Sequence, residues 1–309
     1  MSDRTIERER SQNVWGSFAR KFEPVLQATE LDSEPAVDVG HIGGLAAAKE
    51  EILTYACAAT DPEVYGRWGT APPSGLLLIG KRGAGKRLLT RALATQTETA
   101  HLTVNVPRLV LEVIHRGGNV GDLVKAWSQT LADMPALTVV FDELEFSQAE
   151  EIGARRPDLP VGPVMDFLLD LIDRTIAIGS HLVIGLTSHP ATLRQAFAHP
   201  GRFERMVEVT PVYPDDIVAA LRIHAGSAEK RAGHPLFDAV DWESVVRKHR
   251  SSSTGEWIRI MHAVLRRKAR GEAAGEAVTP VTTHDLQDEV ERFRKASAQL
   301  SVSEGGNYV

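Results

Sequence analysis

The chain has 309 residues, 43% of them apolar and 25% charged, with a formal net charge of −6. That length is enough to bury a full core, the composition is that of a globular protein, and the acidic balance leaves no whole-chain footprint for nucleic acid or an anionic membrane. No apolar run approaches the roughly 18–20 residues that cross a bilayer. The polar start Met1 to Thr5 lacks a signal-peptide core, and Cys57, the only cysteine, excludes an internal disulfide and argues against a cysteine-based zinc site, so a cytoplasmic location is expected.

Residues 4–28 carry Ile6, Trp15, Phe18, Phe22, Val25 and Leu26 among many charges, and from Trp15 onward the three-and-four spacing predicts one amphipathic helix. Its apolar face either packs on the chain's own core or receives an adaptor or substrate. The polar stretch 29–35 reads as a connector, so residues 1–37 form an N-terminal helix and linker. A helix over 46–60 leads through the turn-rich 67–74 into an apolar strand over 75–80. Further strands at 101–106, 137–141, 181–187 and 206–210 alternate with helical segments, a rhythm that predicts a parallel sheet covered on both faces, within an α/β domain over 38–212. From Pro214 the strands stop. Helices at 214–226, 237–249, 254–270 and 283–299 predict a small all-helical domain over 213–300, followed by a flexible tail over 301–309.

The strand at 75–80 runs straight into Gly80-Lys-Arg-Gly-Ala-Gly-Lys-Arg87. Backbone N–H groups converge on an anion only where side chains leave room, which explains Gly80, Gly83 and Gly85 around small Ala84, while Lys86 supplies a point charge for the β and γ phosphates. The P-loop pattern G-x-x-x-x-G-K-[S/T] holds through Lys86 and fails at Arg87. Leu88, Leu89, Ala92 and Leu93 then give the following helix a buried face. Further on, Thr138-Val-Val-Phe-Asp-Glu is an apolar strand ending in two carboxylates, of which Asp142 suits holding Mg²⁺ through water and Glu143 suits polarising the attacking water.

With these motifs in place the chain resembles the AAA family of the AAA+ ATPases over about residues 38–270. His41-Ile-Gly-Gly-Leu resembles the family's D-I-G-G-L opening beside the adenine, and Pro200-Gly-Arg-Phe-Glu-Arg resembles its P-G-R-F-D-R segment. Leu221-Arg-Ile-His224 resembles the L-x-I-H stretch whose histidine contacts nucleotide, and Gly255 falls at the family's lid glycine. The resemblance implies a P-loop α/β domain with a five-stranded parallel sheet, a helical lid, ATP and Mg²⁺ as cofactors, and a homo-oligomer, usually a ring of six, with nucleotide between neighbouring subunits. Nucleotide is then expected against Ile42, Gly43, Gly80, Gly83, Ala84, Gly85, Lys86, Arg87, Leu88, His224 and Gly255. Lys86, Asp142, Glu143 and Ser188 carry the chemistry, and Arg202 reaches into the next subunit's site. Arg202 alternatively is a solvated arginine at a turn, His224 a half-buried lid histidine, and Gly255 the start of a helix behind Ser253 and Thr254.

Three positions depart from the pattern. Arg87 offers no lone pair to a metal, Ser188 stands for the sensor asparagine, and His199 stands where a first trans-acting arginine usually lies. ATP binding with slow hydrolysis is the expectation. The region matching the central-pore loop, Glu112-Val-Ile-His-Arg-Gly-Gly-Asn, lacks the family's aromatic, leaving Val113, Ile114 and His115 as a weaker grip or a plain connection. The ending Asn307-Tyr308-Val309 resembles the tails by which proteasomal ATPases dock on a protease, and an ordinary loose terminus reads the same way. Arg266, Arg267, Lys268 and Arg270 read as a solvated helix end, not a nucleic-acid patch. The function expected is ATP-driven remodelling or unfolding of a protein partner by a cytoplasmic ring. The alternative is a nucleotide-gated scaffold with negligible hydrolysis.

Overall fold

A computed structural model describes residues 3–116, 119–145, 161–193, 195–199, 201–249 and 253–304. The chain forms two compact units, one of residues 1–39, 46–81 and 86–209, the other of 40–45, 82–85 and 210–309.

In the first unit, helices α1 (Asp3–Lys21) and α2 (Glu23–Ala28) precede strand β1 (Thr29–Asp32), helices α3 (Ala46–Thr60) and α4 (Glu63–Arg67) and strand β2 (Leu76–Ile79). Then come α5 (Lys86–Gln96), β3 (Ala100–Asn105), α6 (Val106–Arg116), α7 (Val120–Ala132), β4 (Leu137–Asp142), α8 (Val161–Ala177), β5 (Leu182–Thr187) and β6 (Arg205–Glu208). The sheet order is β1-β3-β4-β5-β2-β6. The five strands expected from the apolar runs are all present and mutually parallel. β4 and β5 are buried along their whole length, as strands covered on both faces must be.

A sixth strand, β1, was expected to be a connector. It pairs antiparallel with β3 in the register Thr29↔Val104 to Asp32↔His101. An edge strand is held by backbone hydrogen bonds to one neighbour and needs no alternation of apolar side chains, so its polar composition hid it.

The single N-terminal helix is in fact two. Pro24 has no N–H to donate to the carbonyl of Arg20, and the helix breaks at Phe22. The apolar face from Trp15 onward is covered by its own unit: Trp15, Phe18, Ala19 and Val25 are buried. Trp15 meets Trp127 edge-on at a 5.2 Å centroid distance, and the Trp127 indole N–H is satisfied by Thr175 at 2.9 Å. This layer rests on the sheet face that presents Leu77, Leu102, Val104, Val139, Phe141 and Val183. By the strand period of two, Thr138, Val140 and Asp142 turn to the opposite face, where α5 packs on β3, β4 and β5.

The second unit's helices are α9 (Asp215–Ala232), α10 (Trp242–Arg247), α11 (Thr254–Ala273) and α12 (Thr283–Glu304), with a core of Ile217, Leu221, Trp257, Ile260, Met261 and Val290. The helix expected from 237 starts only at Trp242, because Asp241 caps it by accepting the Ser244 N–H at 3.0 Å. Phe237 instead bridges to Val281. α9 outruns its expected end and stops at Gly233, which adopts φ 76°.

Candidate functional site

β2 delivers the chain to Gly80, and α5 begins at Lys86. The Lys86 side chain is buried, and its amine donates to the carbonyls of Gly80 (2.5 Å) and Lys81 (3.1 Å) and to Ser188 Oγ (2.9 Å). Ser188 follows β5, which lies between β4 and β2 in the sheet. Asp142 ends β4 on the α5 side and is 5% exposed. Arg87 closes the cluster: its Nε donates to Asp142 Oδ2, and a terminal nitrogen lies 3.9 Å from Glu143 Oε1.

The backbone turns sharply after Asp142. Glu143 sits at φ 60°, a left-handed conformation that costs an L-residue about 1–2 kcal/mol. The strain is held from the next residue, because buried Leu144 returns its N–H to Leu186 of β5 at 3.0 Å. Glu143 is thereby raised out of the strand while Asp142 stays in it.

Sequence reasoning missed Glu145. Its buried carboxylate accepts the Ser188 N–H at 3.3 Å and lies 3.3 Å from His189 Nδ1. Burial pushes its pKa up, but hydrogen bonds from its own backbone, His189, Thr187 and Ser188 outweigh burial and hold the carboxyl below the usual range. An anion is therefore fixed under the turn that carries Ser188. The available signal was a third acid two residues beyond Glu143 in an otherwise apolar stretch.

Other expected residues gather in the second unit. Gly83 and Gly85 take φ 79° and 108°, conformations that glycine adopts without the steric cost a side chain would bring. The Gly83 carbonyl accepts the Gly255 N–H at 2.9 Å, one of the donors that the first turn of α11 leaves open. Ser253 and Glu256 cap the same turn reciprocally. Gly43 lies so close to α9 that a Cβ there would stand 2.1 Å from Ala220 N. Leu45 and Val212 both donate their N–H to Asp216 Oδ2 at 2.9 Å, tying that segment to the helix. Ile42 and Ala84 are buried. His224 is half-buried on α9, and burial, then the charges of His262 and Arg231, push its pKa down, so the ring is neutral at physiological pH.

Arg202 is engaged within its own chain. Its Nε and a terminal nitrogen donate to the two carboxylate oxygens of Asp173 on α8 at 2.5 and 2.7 Å, and its other terminal nitrogen donates to the Ala196 carbonyl at 2.6 Å. His199 is exposed, and Pro200 lies outside the described residues. Val113 and Ile114 belong to α6 and pack against the core rather than standing on a loop, and Gly117 and Gly118 lie outside the described residues. Arg267 and Lys268 pair with Glu289 and Asp285 of α12 at 3.0 Å each, which accounts for two cations of the basic helix end. Asn307, Tyr308 and Val309 also lie outside the described residues.

A divalent ion fits this arrangement poorly. Asp142 already has the Arg87 guanidinium on its carboxylate, and position 87 supplies no oxygen. Among the described residues no group of three or more His, Cys, Asp or Glu side chains is gathered in a metal-holding set. Among the same residues no helix is long and apolar enough to cross a membrane.

Residues 76–211 match the profile of the ATPase family associated with various cellular activities (AAA). Proteasome-activating nucleotidase 2 of Halobacterium salinarum is 30% identical over 271 residues, covering 86% of this chain and 62% of that protein. The proteasome-activating nucleotidase of Methanocaldococcus jannaschii is 33% identical over 206 residues, 64% of this chain and 46% of that protein. Protein CdcH of Halobacterium salinarum is 28% identical over 305 residues, 93% of this chain and 39% of that protein. The chain thus spans about half the length of the curated relatives it matches. A mostly parallel sheet in which β2 feeds a glycine-rich loop and β4, on the far side of β5, ends at Asp142 before Glu143 agrees with these matches, and the chain belongs to the AAA family of ATPases.

Proposed function

We propose that this chain binds ATP, hydrolyses it slowly, and uses the cycle to remodel or unfold a protein partner as a homo-oligomeric ring, six-membered by family resemblance. The observation that carries the reading is the convergence of Lys86, Arg87, Asp142, Glu143 and Ser188 on the ends of β2, β4 and β5 and the start of α5. Lys86 holds the β and γ phosphates, and the loop amides supply further donors. Glu143 orients the attacking water and takes its proton as the water oxygen bonds to the γ phosphorus and ADP departs. Ser188 donates to the transferred phosphoryl or the lytic water from a turn held by Glu145. Arg202 of a neighbouring copy stabilises the charge that develops. Ile42, Gly43, His224 and Gly255 receive the rest of the nucleotide.

Phosphate release by the wild type and by Glu143→Gln, compared at matched oligomeric state, tests this. Release that falls at least about a hundredfold in the variant supports catalysis by Glu143. Equal rates leave the second reading, a nucleotide-gated scaffold, which the Arg87–Asp142 pair favours. Two of the relatives named above carry proteasome-activating names. A matching partner is proposed for this chain through Asn307, Tyr308 and Val309, and unchanged co-sedimentation with a proteasome core after their deletion would remove that part.

A further inference from the structure

The cation inventory around α5 is unusual. Lys86 and Arg87 occupy the first two positions of an eleven-residue helix, behind Lys81 and Arg82. The positive end of a helix dipole disfavours cations, so this placement needs anions nearby. Asp142 and Glu143 are two such anions. Asp142 is almost wholly buried, and Arg87 pairs with it across 55 residues of sequence. The Arg87 side chain is 65% exposed. A guanidinium has five N–H donors, and Nε alone is committed to Asp142, so the terminal nitrogens can meet phosphate oxygens without breaking the pair.

We propose that the Arg87 guanidinium takes the place of the divalent cation, so that this chain binds a nucleoside triphosphate as the metal-free polyanion, with Lys86 and Arg87 as two fixed cations. The inference rests on the nucleotide-binding reading above. Asp142 is then a positioning residue for Arg87. A hydrated Mg²⁺ and Arg87 compete for one carboxylate and repel each other, so metal does not strengthen binding and nucleotide is held at least as tightly without it.

Isothermal titration with ATP, in EDTA and in excess Mg²⁺, tests the proposal on the full chain and on Arg87→Thr, which restores a hydroxyl at the position. The wild type is expected to bind within about threefold under the two conditions or more tightly in EDTA, and Arg87→Thr to bind at least about tenfold more weakly in EDTA than in Mg²⁺. Wild-type binding that weakens about tenfold or more in EDTA overturns the proposal, whatever the variant does. If Arg87→Thr fails to fold by circular dichroism, the wild-type pair of titrations still decides. Absence of ATP binding under both conditions overturns the nucleotide-binding reading itself, and the inference with it.

Discussion

If Arg202 acts on a neighbour's nucleotide, it must leave or stretch a contact that its own chain already makes. Both oxygens of Asp173 accept from it at 2.5 and 2.7 Å, and the Ala196 carbonyl adds a third bond at 2.6 Å. A charge-assisted hydrogen bond sheltered from water contributes about 1.5–3 kcal/mol, and a fully solvated ion pair about 0–1. The Arg202 side chain is 22% exposed and that of Asp173 42%, so solvent screening reduces the pair to a coupling of about 1–2 kcal/mol. A double-mutant cycle of Arg202→Ala and Asp173→Ala, read by urea denaturation with circular dichroism, should return that coupling. In the assembled protein, Arg202→Ala should lower phosphate release about a thousandfold with ATP affinity nearly unchanged, as loss of a transition-state arginine does. Asp173→Asn should act in the opposite direction, raising release by up to about tenfold because the guanidinium no longer has to be withdrawn from a carboxylate. A coupling below about 0.3 kcal/mol would show the pair to be energetically idle. Unchanged release in Arg202→Ala would remove the residue from the chemistry.

Trp15→Ala should destabilise the α/β unit by about 3–5 kcal/mol, while Ile6→Ala, at an exposed position, should cost less than about 0.5; equal urea midpoints would mean that the Trp15 face is not core. Gly43→Ala drives a Cβ to 2.1 Å from the Ala220 backbone and should cost about 2 kcal/mol or more, whereas Gly16→Ala, whose Cβ meets nothing within 4 Å, should be neutral or stabilising in the same thermal melts. His101 is buried, and burial followed by the charge of Arg91 pushes its pKa down to about 4 against the partial relief of Asp32. Between about pH 6.5 and 4 the unfolded chain therefore binds a proton that the folded chain does not, so stability is intact above 6.5 and falls by up to about 3 kcal/mol as pH drops through that window. His181, His224 and His262 are depressed too and add to the slope. Urea midpoints at pH 7.5, 5.5 and 4.5 should show a shallower decline in His101→Gln than in the wild type, and identical slopes would refute the assignment.

The sequence determined what local rules govern. Apolar runs marked all five parallel strands, glycine spacing marked the loop, and the apolar run of β4 marked where two acids emerge, because each depends on residues adjacent in the chain. Pro24 was equally legible as a helix breaker, although the apolar spacing that continues beyond it masked the break. The polar edge strand β1 could not be read this way, since its stability lies in the neighbour it pairs with.

Only the tertiary structure decided who meets whom. Arg87 read as a missing metal ligand became the partner of Asp142, 55 residues away, and Arg202 read as a reaching arginine became the partner of Asp173, 29 residues away. The first pairing depends on the strand order that sets β4 near the start of α5 and on the face to which the last side chain of β4 turns. A charge takes its function from the field at its own position, and that field is set by atoms the chain brings near only after folding.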